Sequence, residues 1–142
     1  MNSTASAYSS IEDVLRNART IAVVGLSNNP LRASHGVSAY MQEQGYRIIP
    51  VNPRIDACLG ERAFASLRQV PGRIDVVNIF RRHEFVEEIV DQAIALKVPA
   101  IWMQEDVVHP QAAEKAQRSG IFVVMDRCIL KEHRALSLPS RK

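Results

Sequence analysis

Apolar residues recur along this chain in two alternating rhythms. Five short runs are nearly continuous and rich in β-branched residues. They are TIAVVG (Thr20 to Gly25), YRIIPV (Tyr46 to Val51), IDVVNIF (Ile74 to Phe80), AIWMQ (Ala100 to Gln104) and IFVVM (Ile121 to Met125). Runs of this kind suit strands buried on both faces. The other rhythm is helical. Ser10 can cap a helix whose stripe is Ile11, Val14, Leu15 and Ala18. Val37, Tyr40 and Met41 recur at helical spacing before a stop at Gly45. Val86, Ile89, Val90 and Ala93 do the same before Val98-Pro99. Pro110 suits a first helical position, Ala112, Ala113 and Ala116 follow it, and Gly120 closes the turn.

Only the link between the second and third runs is irregular. It holds Pro53, Gly60, Pro71 and Gly72, with one turn of helix expected at Ser66 to Gln69. Strands alternating with helices predict parallel strands joined by crossovers. The expected fold is therefore α/β: a Rossmann-like, doubly wound, parallel five-stranded sheet with helices on both faces. The expected strand order is 3-2-1-4-5, with a flavodoxin-like order as the alternative.

At 142 residues the chain reads as one domain. The expected division is a disordered tail over 1–9, a domain over 10–136 and a flexible tail over 137–142. The hydrophobic fraction of 46% and charged fraction of 23% are ordinary for a globular protein. No apolar run nears the ~18 residues of a membrane span, and the first ten residues do not make a signal peptide. These features predict a cytoplasmic location and no membrane partner. The net charge of +3 is compatible with an anionic ligand. The basic residues are scattered, so a nucleic-acid partner is not expected. The two cysteines, Cys58 and Cys128, form no CxxC pair and read as free thiols. No two of the four histidines have metal-ligand spacing; surface or capping roles are expected, with His35 open to a ligand hydrogen bond. No metal is expected.

In such a sheet, ligands bind beyond the carboxyl ends of the strands, at the switch point. The loop after the first run, GLSNNPLRASHG, is the best phosphate candidate. Gly25 permits a close backbone approach. Ser27, Asn28 and Asn29 bring short polar groups, Arg32 brings a cation, and a helix N-terminus follows. As an alternative, the same residues are ordinary turn punctuation. The dinucleotide fingerprint G-x-G-x-x-G and its acidic residue at the end of the second strand are absent. The second run ends in Asn52, Pro53 and Arg54 instead. A cation there favours a phosphorylated ribose, as in NADP or coenzyme A (CoA), and the pattern does not separate the two.

The ordered series VVGLSNNP.R.S, GYRIIPVNP, LG, SL..VP..IDVVNIFRR, IWMQ and GIFVVMDRC resembles the small bacterial CoA-binding proteins. These are similar to the CoA-binding N-terminal domain of the succinyl-CoA synthetase α subunit. The likeness runs from Ile11 to Leu136. It implies a free-standing CoA-binding domain. It places Gly25, Ser27, Asn28 and Asn29 at the CoA phosphates, and Asn52, Pro53 and Arg54 at the 3′-phosphate end. It sets Ile79, Phe80 and Arg81 in the middle of the crevice and Gln104 and Glu105 near the cofactor. The sequence departs from that pattern at Asp106, where a glycine is expected, and at His83, where a serine cap is usual. The synthetase's phosphorylated histidine belongs to another domain, and no histidine here takes its role. Cys128, beside Arg127 and a helix start, is a candidate for thiol exchange with CoA; as a half-buried strand-end residue it would be inert. No catalytic triad or carboxylate pair is visible. The expected function is non-catalytic binding of CoA or an acyl-CoA. The alternative is an NADP-dependent reductase or a CoA-linked thiol-exchange enzyme. A protein partner is left open.

Overall fold

The computed structural model describes residues 7–141, so residues 1–6 of the expected tail over 1–9 lie outside the described residues. The elements follow in the order α1 (Ile11–Asn17), β1 (Thr20–Val24), α2 (Ala33–Glu43), β2 (Arg47–Val51), β3 (Ala57–Cys58), β4 (Glu61–Arg62), a 3₁₀ turn (Leu67–Gln69), β5 (Val76–Ile79), α3 (His83–Ala95), β6 (Ala100–Met103), α4 (Pro110–Arg118), β7 (Phe122–Val124) and α5 (Ile129–Leu136). All five apolar runs are strands of one parallel sheet. Every residue of β5 and β6 is buried, as expected of strands covered on both faces.

The sheet divides the interior into two packed layers. Tyr8, Leu15, Val37, Met41, Trp102 and Ile129 fill the face covered by α1, α2 and α5. Ile49, Leu67, Val77, Ile89, Ile101 and Ala116 fill the face covered by α3 and α4. Both ends of the described residues are tied to the first layer. Ser9 N–H donates to Asp13 (2.9 Å). The Arg141 guanidinium donates to the carbonyls of Arg16 (3.3 Å) and Ala18 (2.7 Å) and lies over the Tyr46 ring.

The strand order is β2-β1-β5-β6-β7. Counted by sheet strands alone this is 2-1-3-4-5, the flavodoxin-like order, and it corrects the expected 3-2-1-4-5. The physical reason lies in the irregular link after β2. In place of a strand added outside β2, the chain forms the small hairpin β3–β4, touches the edge once through a Val51–Phe64 bridge, and turns back under the sheet. Leu67 and Val70 of that return are buried against Ile49 and Val77, so the link seals the layer that a crossover helix would seal. β5 then pairs with the free side of β1. Pro50 stands in the edge strand β2, and its carbonyl accepts from Phe64 N–H (3.0 Å); a proline is tolerated on an edge.

Because β1 connects outward to β2 while β5 leads to β6 and β7 on the other side, the switch point falls at the carboxyl ends of β1 and β5.

Candidate functional site

At that switch point lies an open groove of about 760 Å³. Gly25, Ser27, Arg32, Ala33 and Ser34 line it from the first loop and the start of α2. Asn52, Pro53 and Arg54 line it from the end of β2, and Phe80, Arg81 and Arg82 from the end of β5. Eight residues singled out from sequence thus meet in one place: Gly25, Ser27, Arg32, Asn52, Pro53, Arg54, Phe80 and Arg81.

Gly25 is required by the backbone. Its φ is +94°, and a Cβ there would stand 2.6 Å from the Phe80 carbonyl oxygen and 2.9 Å from Arg81 Cδ. The close approach it permits is therefore between the two loops themselves. The polar residues of the first loop are spent on its shape. Ser27 Oγ accepts from Asn29 N–H, and Asn29 Oδ1 accepts from Leu31 N–H, each at 3.0 Å. Ser34 Oγ accepts from Ser27 N–H (3.0 Å). Asn28 Nδ2 reaches the hairpin, donating to the Ala57 carbonyl (2.9 Å). Asn52 Nδ2 donates to the Leu26 carbonyl (3.0 Å), and its Oδ1 accepts from Arg54 N–H (2.9 Å).

The charges left facing the groove are all positive. Arg32, Arg54, Arg81 and Arg82 line it, and no acidic residue does. Arg32, Arg54 and Arg82 are exposed. The Arg81 guanidinium lies 4.1 Å from the centre of the Phe85 ring, a cation–π contact that fixes its direction. Arg82 is only loosely paired with Glu84, at 4.0 Å. The N-terminus of the eleven-residue helix α2 opens at Ala33 and Ser34, adding its positive dipole end to the arginines. The arrangement is suited to a polyanion with more than one phosphate group.

Five expected residues do not line the groove: Asn28 and Asn29, whose side chains bond backbone groups as described, and three that stand elsewhere. The Ile79 side chain is fully buried in the α3–α4 layer. Gln104 is 3% exposed, and its Oε1 accepts from Ile129 N–H (3.0 Å), capping α5. Cys128 is 7% exposed, packed with Trp102 and Ile129, and does not line the groove. The remaining thiol, Cys58, is 3% exposed, and burial pushes its pKa up. Besides the small apolar Ala33, two polar residues lining the groove, Ser34 and Arg82, were not among the residues singled out. The signal for both was present: Arg82 follows Arg81 at a strand end, and Ser34 lies inside the first turn of the helix after the phosphate loop.

The two departures from the expected pattern also find places. Asp106 has φ +70°, a left-handed conformation that a glycine adopts freely. Its N–H donates to Asp126 (2.8 Å), and neighbouring Glu105 pairs with Lys131 (2.8 Å), so this acidic loop is engaged away from the groove. His83 and His109 stack with their rings 4.3 Å apart, although 26 residues separate them. His109 Nδ1 caps α4 by accepting from Ala112 N–H (3.1 Å), and His83 Nδ1 donates to the Val108 carbonyl (2.7 Å). Among the described residues, no group of three or more His, Cys, Asp or Glu could hold a metal ion, and no helix is long and apolar enough to cross a membrane.

The family described as CoA binding domain matches residues 19–134. The chain belongs to that family. Among its relatives is the uncharacterised protein YneT of Bacillus subtilis (strain 168), 43% identical over 123 residues, which span 87% of this chain and 91% of that protein. A solved structure of a hypothetical protein from Pyrococcus horikoshii OT3 superposes with a TM-score of 0.86 at 32% identity, covering 97% of this chain and all of that one. The α subunit of an ADP-forming acetate–CoA ligase II from Pyrococcus furiosus is 35% identical over 77 residues, 54% of this chain and 17% of that subunit. The matched segment is a small part of that longer subunit.

Proposed function

We propose that this protein binds CoA, or an acyl-CoA, in the arginine-lined groove, and that the bound molecule is held without being chemically changed. One observation carries the reading: in a member of the CoA-binding domain family, four arginines and no acid line the switch-point groove. A CoA molecule brings a pyrophosphate and a 3′-phosphate, and a phosphomonoester alone carries roughly −1.5 to −2 charge at neutral pH. NAD brings only a pyrophosphate. In this reading the α2 N-terminus and Arg32 meet the pyrophosphate, and Arg54, at the end of β2, meets the 3′-phosphate. Arg81 and Phe80 wall the middle of the crevice. Gly25, Ser27, Asn29 and Asn52 hold the loop geometry that makes this possible.

The groove lining supports a role without chemistry. It presents guanidinium groups, two serine hydroxyls each already accepting a backbone bond, an amide and apolar surface. None of these is a general base poised beside a nucleophile. The test is mass spectrometry of small molecules released from freshly purified protein. The mass of CoA or an acyl-CoA is expected. Release of NADP would favour the reductase alternative and overturn this reading.

A further inference from the structure

The hairpin β3–β4 lines no part of the groove, yet it holds the loop that does. Asn28 Nδ2 donates to the Ala57 carbonyl (2.9 Å), and Cys58 Sγ donates to the Ser27 carbonyl (3.7 Å). On its far side the hairpin is fastened to α2, where Gln42 Nε2 donates to the Leu59 carbonyl (2.8 Å). Its turn is Leu59-Gly60, with φ of +54° and +78°. Two positive φ values are those of a type I′ turn, the tight connection that suits a two-residue hairpin. A leucine seldom adopts that conformation, and it persists where the surroundings over-determine it. Here the contacts to Leu59, Cys58 and Ala57 do so.

These contacts bear on anion binding. The Leu26 carbonyl is engaged by Asn52 and the Ser27 carbonyl by Cys58. A carbonyl oxygen turned towards an anion repels it; two successive loop carbonyls engaged by protein donors are withdrawn from that role. We propose that the hairpin is a positioning element for phosphate binding by the Ser27–Arg32 loop, with Asn28 and Cys58 as its positioning residues. This rests on reading the groove as a CoA site. It moves Asn28 from ligand contact to loop support, and it gives the buried Cys58 a part in affinity although it cannot reach the ligand.

The test compares wild type, Cys58→Ala, Cys58→Ser and Asn28→Ala by calorimetric titration with two ligands, with a thermal melt of each protein. The ligands are CoA and adenosine 3′-monophosphate; the second keeps the 3′-phosphate end and lacks the pyrophosphate. Cys58→Ala and Asn28→Ala should each weaken CoA about five- to tenfold, the scale of one hydrogen bond. Adenosine 3′-monophosphate should bind within about twofold of wild type, since it does not meet the loop. Cys58→Ser keeps a donor and should recover most of the CoA affinity lost in Cys58→Ala. Equal weakening of both ligands, unchanged CoA affinity in both variants, or no recovery in Cys58→Ser would overturn the proposal. If Cys58→Ala does not fold, the exposed Asn28 carries the same comparison. Failure of wild type to bind CoA would instead overturn the ligand assignment.

Discussion

Arg54 is the residue on which the proposed ligand choice turns. It occupies the place where a dinucleotide enzyme keeps a carboxylate, and it is exposed at the groove rim with its own N–H tied to Asn52. Arg54→Ala should weaken CoA about ten- to a hundredfold, from the roughly 1.5–3 kcal/mol of a charge-assisted hydrogen bond. Dephospho-CoA should be affected far less, and titration of both ligands against the variant checks this. Gly25 makes a different prediction from the one its loop position suggests. A side chain there meets the Phe80 carbonyl and requires φ +94°, so Gly25→Val should lower the melting temperature as well as abolish binding. A variant that melts like wild type would show that the β1 and β5 loops do not need this contact. The thiols give a third test. Both are buried, and a thiol needs access to attack a disulfide. CoA disulfide should therefore leave the native protein unmodified at neutral pH and label it only once unfolded, as intact-mass measurement would show. An adduct on native Cys128 would restore thiol exchange as a role. Polarity alone could not have sorted these residues. Ser27, Asn28, Asn29 and Asn52 carry groups that suit a phosphate equally well in sequence, and only the folded chain shows them bonded to backbone groups of the loop and its neighbours.

At the scale of elements, each of the five strands of the main sheet announced itself because burial on both faces demands an unbroken apolar run. Four helices were legible from their stripes and stops. The hairpin was not, since two-residue strands are too short to show a period; the LG pair at its turn was the one trace. α5 was read only as a helix start at Cys128, for it is short and buries only Ile129 and His133, with Leu130 and Leu136 partly covered. His133 gives that helix a pH signature. It is 3% exposed, Tyr40 Oη bonds its Nδ1 (2.9 Å), and Tyr46 meets its ring edge-on. Burial, reinforced by nearby Arg141, holds its pKa below the ordinary histidine value of 6.5. The unfolded chain therefore takes up a proton at a higher pH than the folded one. Stability from this residue is complete above about pH 6.5 and declines as pH falls towards the folded value. Melting temperatures should fall on acidification from pH 7.5 to 5.5, and His133→Gln should flatten that slope. An unchanged slope in the variant would place the acid sensitivity elsewhere.

For the whole molecule, strand order was the feature that local pattern could not carry. The same five runs would serve either order, and the choice was made by the link from Asn52 to Arg73, which buries Leu67 and Val70 under the sheet and returns the chain beside β1. Both orders keep a switch point next to β1, so the place of the candidate groove was legible although the strand order was not. The molecule carries a net charge of +3, and its groove concentrates positive charge without a matching acid. Binding should accordingly weaken as salt rises and screens the exposed arginines. The most direct measurement is calorimetric titration of the purified, ligand-free protein with CoA and with NAD under identical conditions. The account predicts saturable, one-to-one binding of CoA, and binding of NAD that is at least about tenfold weaker for want of the 3′-phosphate contact. Tight binding of NAD with no binding of CoA would contradict it.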